Sequence, residues 1–496
     1  MTSHSVPALR VRRINDAALR PDGAYVLYWM IASRRLDWNF SLQRAVDHAR
    51  ELGKPLVILE ALRIGYPWAS DRLHRFVLDG MAEHRARLEG SQVLYHPYVE
   101  PEAGAGSGLL ETLAARAAVV VTDDYPAFFL PRMVAAAGKK LGVRLEAVDG
   151  NGLLPMASAD RTFARAFDFR RHLQRELPKH LGDLPKAHPL LGHSLERLGS
   201  LPKEVLERWP AADAELLAGS PARLAELPID HSVPVVDGTR GGAKAAGAVL
   251  ERFLEERLER YGDGRNHPDE DAASELSPYL HFGHLAAHEV FTAVLEREGW
   301  TPEKIHGGTG GARSGWWGAS EAAESFLDEL ITWREVGFNM CSREPGYDRY
   351  ESLPEWAQET LAEHAGDPRP EVYSLDEFDR AATHDEVWNA AQRQLRGEGK
   401  IHNYLRMVWG KKILHWSASP REALDIMIEL NNRYALDGRD PNSYSGIFWV
   451  LGRYDRAWGP EREVFGKIRY MSCDNTRRKL HMERYLERYG PQASLF

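Results

Sequence analysis

In the run FLDELITWREVGFN, residues 326–339, Glu329 and Trp333 stand four apart, so on a helix they share one face. A carboxyl beside an indole on a buried face can be kept protonated and offered as a hydrogen-bond donor. The same spacing suits a surface glutamate over a core tryptophan. In THDEVWNAAQRQLRGEGKIHNYLRMVWGKKILHWSASP, residues 383–420, Trp409 and Trp416 are seven apart on one helical stripe, and Trp388 on the preceding helix can pack against them. Three indoles so spaced can relay an electron; three core tryptophans look the same. The segment ELNNRYALDGRDPNSYSGIFWVLGRYDRAWGPEREVFGKIRYM, residues 429–471, interleaves Trp449 and Trp458 with Arg453, Arg456, Arg462, Lys467 and Arg469, a mixture suited to stacking on bases and touching phosphates. Upstream, an acidic run at 269–271 leads into SELSPYLHFGHL, residues 274–285. Hydroxyls and backbone N–H groups ahead of a helix can hold a phosphate there, although serine and proline in that position commonly form a plain cap. Cys341 and Cys473 have no CxxC or histidine company, which argues against a zinc module and a disulfide framework, so no metal is expected.

Positioning these side chains takes more than one domain. At roughly 150 residues per domain, 496 residues suggest two or three with ample core. Residues 1–24 read as an N-terminal tail. Over 25–150, the apolar runs Tyr25 to Met30, Pro55 to Leu62, Gln92 to Val99, Ala117 to Thr122 and Val143 to Val148 alternate with helical patterns, which predicts a parallel α/β sheet. No GxGxxG follows the first run, so the sheet lacks the phosphate-cradling fingerprint of a dinucleotide-binding Rossmann domain. Residues 151–240, rich in Pro, Ala and Gly, read as a partly helical interdomain connection. From 241 to 496 the helical period dominates, with capping boxes expected at Thr383 with Glu386 and at Ser419 with Glu422. A Gly-rich stretch, HGGTGGARSGWWGAS over 306–320, reads as a flexible loop between two helices.

Fourteen tryptophans exceed what a core needs and hint at redox chemistry. Charge is unevenly spread: residues 401–496 carry 16 Lys and Arg against 11 Asp and Glu, a net of +5 in a chain of net −9. A basic quarter on an acidic chain is compatible with a DNA-binding face and equally with solvated arginines. No apolar leader and no run of 18 apolar residues occurs, so a soluble cytoplasmic protein of a reducing compartment is expected, with no membrane partner.

The stretches SELSPYLHFGH, FLDELITWRE, VWNAAQ, YLRMVWGKKILHW, LDGRDPNSY and VFGKIRYM, in this order, resemble the signature segments of class II cyclobutane pyrimidine dimer (CPD) photolyases of the photolyase/cryptochrome superfamily, and the similarity runs from about residue 25 to 480. The resemblance implies an N-terminal α/β domain with a possible antenna chromophore of deazaflavin or folate type. It also implies a helical domain that binds FAD and flipped-out lesions, and light-driven repair of UV-damaged DNA by a monomer, with reduced anionic FAD as the active form. By the same resemblance, Tyr261, Ser274, Leu276 and Ser277 surround FAD, with Ala273 where many relatives carry Thr; Arg406 and Asp437 form an ion pair at the flavin ring; and Asn431, beside Asn432, faces flavin N5. Glu329 is the carboxyl that meets the dimer. Trp333 and Trp449 line the lesion pocket, and Arg265 lies near both flavin and lesion. Trp409, Trp388 and Trp416 carry electrons, while Arg456, Trp458 and Arg469 contact the DNA around the flipped lesion. A (6-4) photolyase would need active-site histidines, and none occurs between His415 and His481. A cryptochrome-like light sensor would commonly carry a long extension past Met471, where this chain has a short one.

Overall fold

Short apolar runs bounded by turn residues become strands buried on both faces. In the computed structural model, which describes residues 5–306 and 308–491, the chain divides into two compact units. One comprises the chain up to Ser158 together with Glu176–Glu251 and Leu276–Arg297; the other comprises Ala159–Arg175, Arg252–Glu275 and Glu298 onward. The stretch 151–240, expected to be one connection, is therefore shared between them. Its Pro-rich composition marks loops but carries no information about which core those loops join.

The first unit holds a six-stranded sheet built from β1 (Val11–Arg13), β2 (Tyr25–Met30), β3 (Leu56–Leu62), β4 (Leu94–Val99), β5 (Ala117–Asp123) and β6 (Leu145–Val148), in the order β1-β6-β5-β2-β3-β4. All pairs are parallel except β1 with β6. The five expected runs all form strands. The expected tail corrects to an edge strand: Val11 pairs with Val148, and the buried Arg10 guanidinium donates to the carbonyls of Gly152 at 3.0 Å and Leu153 at 2.7 Å. A three-residue strand is too short to show a period. Along β2, Tyr25, Leu27 and Trp29 enter one core with Leu113, Val134 and Leu145, while Val26, Tyr28 and Met30 enter the other with Phe40, Val46 and Leu88. Each such side chain contributes roughly 1.5–3 kcal/mol by leaving water. Helices α1 (Phe40–Leu52), α2 (Asp71–Leu88), α3 (Leu109–Ala114) and α4 (Leu130–Lys140) supply the covering faces.

Sheet order reverses between β2 and β5, the place where open α/β sheets receive ligands. Here the position is filled from within. One oxygen of the buried Asp123, at the end of β5, accepts the backbone N–H groups of Ile31, Ala32 and Ser33 at 2.9, 2.8 and 3.0 Å, and the other accepts the Tyr28 hydroxyl at 2.8 Å. A carboxylate thus occupies the amide nest that a phosphate would take, which gives the missing glycine fingerprint a structural counterpart.

The second unit is helical. Its elements used below are α5 (Ala166–Glu176), α6 (Glu321–Leu327), a widened π-type turn (Asp328–Trp333), α7 (Arg334–Arg343), α8 (Glu386–Glu398), α9 (Asn403–Trp416), α10 (Pro420–Tyr434) and α11 (Pro441–Val450). Ser419 caps α10, its hydroxyl accepting from Glu422 N–H at 3.1 Å, but the reciprocal half of the expected box corrects: the Glu422 carboxylate accepts from Ala418 N–H at 3.1 Å, one residue before the cap. The other expected cap corrects: Asp385, immediately before α8, accepts from Trp388 N–H at 2.9 Å, while the Thr383 hydroxyl bonds Asn389 at 2.8 Å. The described part of the Gly-rich stretch, which does not include Gly307, is also tied down. Glu324 of α6 accepts N–H groups of Gly315, Gly318 and Ala319; Gln174 accepts Gly311 N–H at 2.7 Å; and Trp316 and Trp317 are buried. Glycine content there reflects crowded amides around a carboxylate rather than flexibility. Among the described residues, no helix is long and apolar enough to cross a membrane.

Replacing Asp123 with Ala strands three backbone donors. A loss of about 3 kcal/mol or more is expected, read as a lower urea midpoint, with Asp123→Asn, which keeps one acceptor, losing less.

Candidate functional site

Within the second unit, the widened turn decides where its side chains point. The N–H of Arg334 reaches the carbonyl of Glu329, five residues back, so the turn is not the α-helical one that the i, i+4 spacing suggests. Glu329, half-buried, is ion-paired with Arg265, which follows a short helix at Tyr261–Gly264. The Arg265 guanidinium also lies 5.4 Å over the ring of Tyr261, and Tyr261 is wedged edge-on against Phe326 at 5.2 Å. Burial pushes the Glu329 carboxyl above its ordinary range, against the pull of Arg265. The sequence suggests a carboxyl with only apolar company. The structure corrects this by giving it a cation, through a contact 64 residues apart that no local pattern announces.

Trp333, at the end of the turn, stacks on Trp449 of α11 with ring centres 4.5 Å apart and planes 15° from parallel, and both indoles stay partly exposed. One turn beyond Trp333, Gly337 makes this approach possible. A Cβ there would lie 2.6 Å from the Pro441 carbonyl and 2.8 Å from Asn442 N, both backbone atoms of α11. The missing side chain lets α7 and α11 come close enough for their indoles to meet.

A second group of expected residues gathers around the ends of α9 and α10. Arg406 donates to Asp437 at 2.9 Å. Asp437 sits in a tight loop after α10 in which a Cβ on Gly438 would come within 2.7 Å of the Asn431 carbonyl. The Asn432 carboxamide joins that loop to α11, its oxygen accepting Arg439 N–H at 2.9 Å and the Asn431 amide at 3.1 Å while its nitrogen donates to the Tyr444 hydroxyl at 3.1 Å. Asn431 also donates to the Ser443 hydroxyl at 2.8 Å. Ser274 adjoins a cationic cluster that the sequence does not reveal: Arg257 and Lys400 both bind Glu275, at 3.1 and 2.6 Å. Leu276 and Ser277, where a short helix begins, fall in the first unit, and Ser274 in the second. A flavin dinucleotide needs cations for its diphosphate and paired donors and acceptors for its ring edge. The second unit offers Asn431, Arg406 and Asp437 for the ring edge, and for the diphosphate Arg257 and Lys400, each of which would have to exchange its pairing with Glu275.

The three tryptophans are core residues and neighbours at once. Trp388 lies parallel to Trp409 with ring centres 6.5 Å apart, and edge-on to Trp416 at 6.3 Å. Both buried indole N–H groups along this path are satisfied, Trp388 on the Trp409 carbonyl at 3.0 Å and Trp409 on Gln392 at 2.9 Å. Near the C-terminal end of α11, the Trp458 ring, 36% exposed, lies beneath two guanidinium groups, Arg456 at 4.7 Å and Arg469 at 5.3 Å. Behind them Lys411 is fully buried and donates to the Val450 carbonyl; burial pulls its ammonium down to about 7.

No family model matches the chain. It is 35% identical over 488 residues to the deoxyribodipyrimidine photo-lyase of Methanothermobacter thermautotrophicus, covering 97% of this chain and 98% of that one. It is 32% identical over 468 residues to the deoxyribodipyrimidine photo-lyase of Arabidopsis thaliana, covering 93% and 88%. Among solved structures, the fold is like that of a bacterial class III photolyase from Agrobacterium tumefaciens, with a TM-score of 0.67 at 19% identity over 94% of this chain and 86% of that one. It is also like that of an archaeal photolyase from Sulfolobus tokodaii described with two FAD molecules, with a TM-score of 0.63 at 14% identity over 94% and 90%.

The Gly337→Ala variant tests the close approach. A helical Gly→Ala change alone gains up to about 1 kcal/mol, whereas here a net loss of about 1–3 kcal/mol is expected. Circular dichroism should show weakened exciton coupling between Trp333 and Trp449.

Proposed function

The chain belongs to the deoxyribodipyrimidine photo-lyases, and from that membership we propose that it repairs cyclobutane pyrimidine dimers as a class II enzyme, acting on a dimer flipped out of UV-damaged DNA. The observation that carries this reading is the stacked, partly exposed pair of Trp333 and Trp449, one turn from the Arg265–Glu329 ion pair. Two parallel indoles offer a flat apolar wall to bases that have left the stack, and extrusion is least costly for a damaged pair that stacks poorly. Reduced FAD, which Asn431, Arg406 and Asp437 would hold at its ring, would on blue-light excitation supply the electron that opens the cyclobutane ring.

The chain's own side chains do the rest. Arg265 is a cation that a DNA phosphate can draw away, and Glu329, left buried without it, takes up a proton and donates it as a hydrogen bond to a dimer carbonyl on which negative charge develops. Trp458 with Arg456 and Arg469 supplies an exposed aromatic surface flanked by cations, suited to the gap that the dimer leaves. Trp409, Trp388 and Trp416 pass electrons toward the cofactor site through a dry path, and Asn431 presents an amide that donates or accepts as protonation there changes.

Two measurements test this reading with a dimer-containing oligonucleotide under blue light. With the flavin reduced beforehand, Glu329→Gln, which keeps an N–H donor, should retain part of the repair yield per absorbed photon and Glu329→Ala should lose more. Because the acid form is required and burial raises its pKa, the parent's yield should fall as pH rises through that raised value, and the Gln variant should lack this fall. An alanine variant that repairs as well as the parent overturns the role of Glu329. Separately, Trp409→Phe should abolish light-driven reduction of the oxidised protein yet spare repair after chemical reduction; loss of both in a folded protein contradicts the relay.

A further inference from the structure

We propose that Arg170 of α5 is a positioning residue for Glu329: by gripping both oxygens of Asp328 it fixes the widened turn from which Glu329 meets Arg265. The proposal rests on the reading of Glu329 as the acid that faces the lesion. Arg170 Nε donates to Asp328 Oδ1 at 2.9 Å and its terminal nitrogen to Oδ2 at 2.8 Å, a fork-to-fork pair whose guanidinium is only 3% exposed. Such a pair is rigid, and breaking it from one side leaves an uncompensated buried charge.

The helix that carries Arg170 is itself held along its length. Phe163 N–H, just before α5, donates to Asn339 of α7 at 3.2 Å, and the Asn339 amide donates back to the Arg161 carbonyl at 2.9 Å. At the far end, Gln174 binds both Gly311 N–H and the Ala312 carbonyl, at 2.7 and 2.9 Å, in the Gly-rich loop. That loop in turn clasps Glu324 of α6. The turn is therefore braced on its upstream helix by the loop, on its downstream helix by Asn339, and at its first residue by Arg170. A π-type turn has a poorer hydrogen-bond ladder than an α-helix and persists where the surroundings hold it open, commonly at functional sites.

The pair also bears on charge. Four groups face the Glu329 carboxyl: Arg265 and Tyr261 on one side, Asp328 on its own turn, and Arg170 from α5. Asp328 opposes ionisation of Glu329 and Arg170 favours it. The two act in opposite directions, alongside the larger effects of burial and Arg265. Removing one partner unbalances the carboxyl in a direction that depends on which partner is removed.

The test follows the Glu329 carboxyl by ¹³C NMR in full-length protein labelled at glutamate, with Glu329→Gln identifying its signal by loss. Arg170→Gln should raise the pH midpoint of that signal, Asp328→Asn should lower it, and the double variant should return it toward the parent. In parallel, repair per absorbed photon should fall several-fold in Arg170→Gln and recover in the double variant, where a neutral amide pair replaces the ions. Should Arg170→Gln fail to fold, Asp328→Asn, which keeps a carbonyl acceptor for the Arg170 guanidinium, still carries the test through its downward shift. Midpoints that do not move, or that move in the same direction in both single variants, overturn the proposal and reduce the pair to a strut. If the midpoints move as expected while Glu329→Ala repairs like the parent, Arg170 does govern Glu329, and it is the reading of Glu329 as the acid that falls.

Discussion

A carboxylate and a guanidinium drawn partly out of water lose hydration that their mutual attraction returns only when their geometry is fixed. The Arg265–Glu329 pair imposes that condition on the second unit. Glu329 reaches Arg265 from a turn wider than an α-helix, and Arg265 is steadied by the face of Tyr261, which Phe326 pins in place. The same turn must deliver Trp333 to Trp449, which needs α7 and α11 in backbone contact at Gly337. Tertiary bonds to Asp328, Glu324 and Asn339 supply the holding that the turn's own hydrogen bonds do not. The charged pair, the aromatic stack and the helix crossing are thus solutions to one problem, that of holding an irregular segment still.

Legibility in the sequence followed sequence distance. The five apolar runs of the sheet were readable because a strand buried on both faces needs only a short unbroken stretch of Val, Ile, Leu and aromatic residues. The stripe of Trp409 and Trp416 was readable because seven residues are two helical turns. What escaped lies between segments far apart in the chain: Arg265 on Glu329, Arg170 on Asp328, Lys400 on Glu275, and β1 beside β6. Composition also misled at the Gly-rich loop. Glycine signals backbone freedom in an isolated peptide, yet here its small size lets several amides crowd one carboxylate. Thr383 was a fair cap candidate, but Asp385 stands directly ahead of the first helical residue and takes the position.

In the structure the three tryptophans are core residues, in an arrangement that a relay would also need. Trp388, Trp409 and Trp416 are almost wholly buried, so they contribute as large apolar side chains do, and their ring spacing is what packing of neighbouring helices produces. Burial is also what a relay requires, because water excluded from the path cannot reorganise around a passing charge. Gln392 and the Trp409 carbonyl take the two indole N–H groups that burial would otherwise leave unsatisfied. A single arrangement meets both demands, so spacing alone could not have separated them.

How a chain of net −9 meets a polyanion turns on where its charges are free. Beyond about 8–10 Å, charges on a hydrated surface are largely screened at physiological salt, so the acid residues of distant segments weigh little at the exposed Trp458. Nor does every cation in the basic C-terminal quarter count there. Arg477 is matched by Glu386 and Arg488 by Glu398, while Lys411 is fully buried, with its ammonium pulled down to about 7 and bound to a carbonyl. Arg456 and Arg469 are different: both guanidinium groups lie over the Trp458 ring, and the one carboxylate bound there, Asp455, accepts the Trp458 indole N–H at 3.0 Å, so two cations stand against one anion. An exposed indole flanked by two oriented cations is a small surface, but it is one that presents stacking area and positive charge together. The local balance there, rather than the sign of the whole chain, sets the potential at that surface.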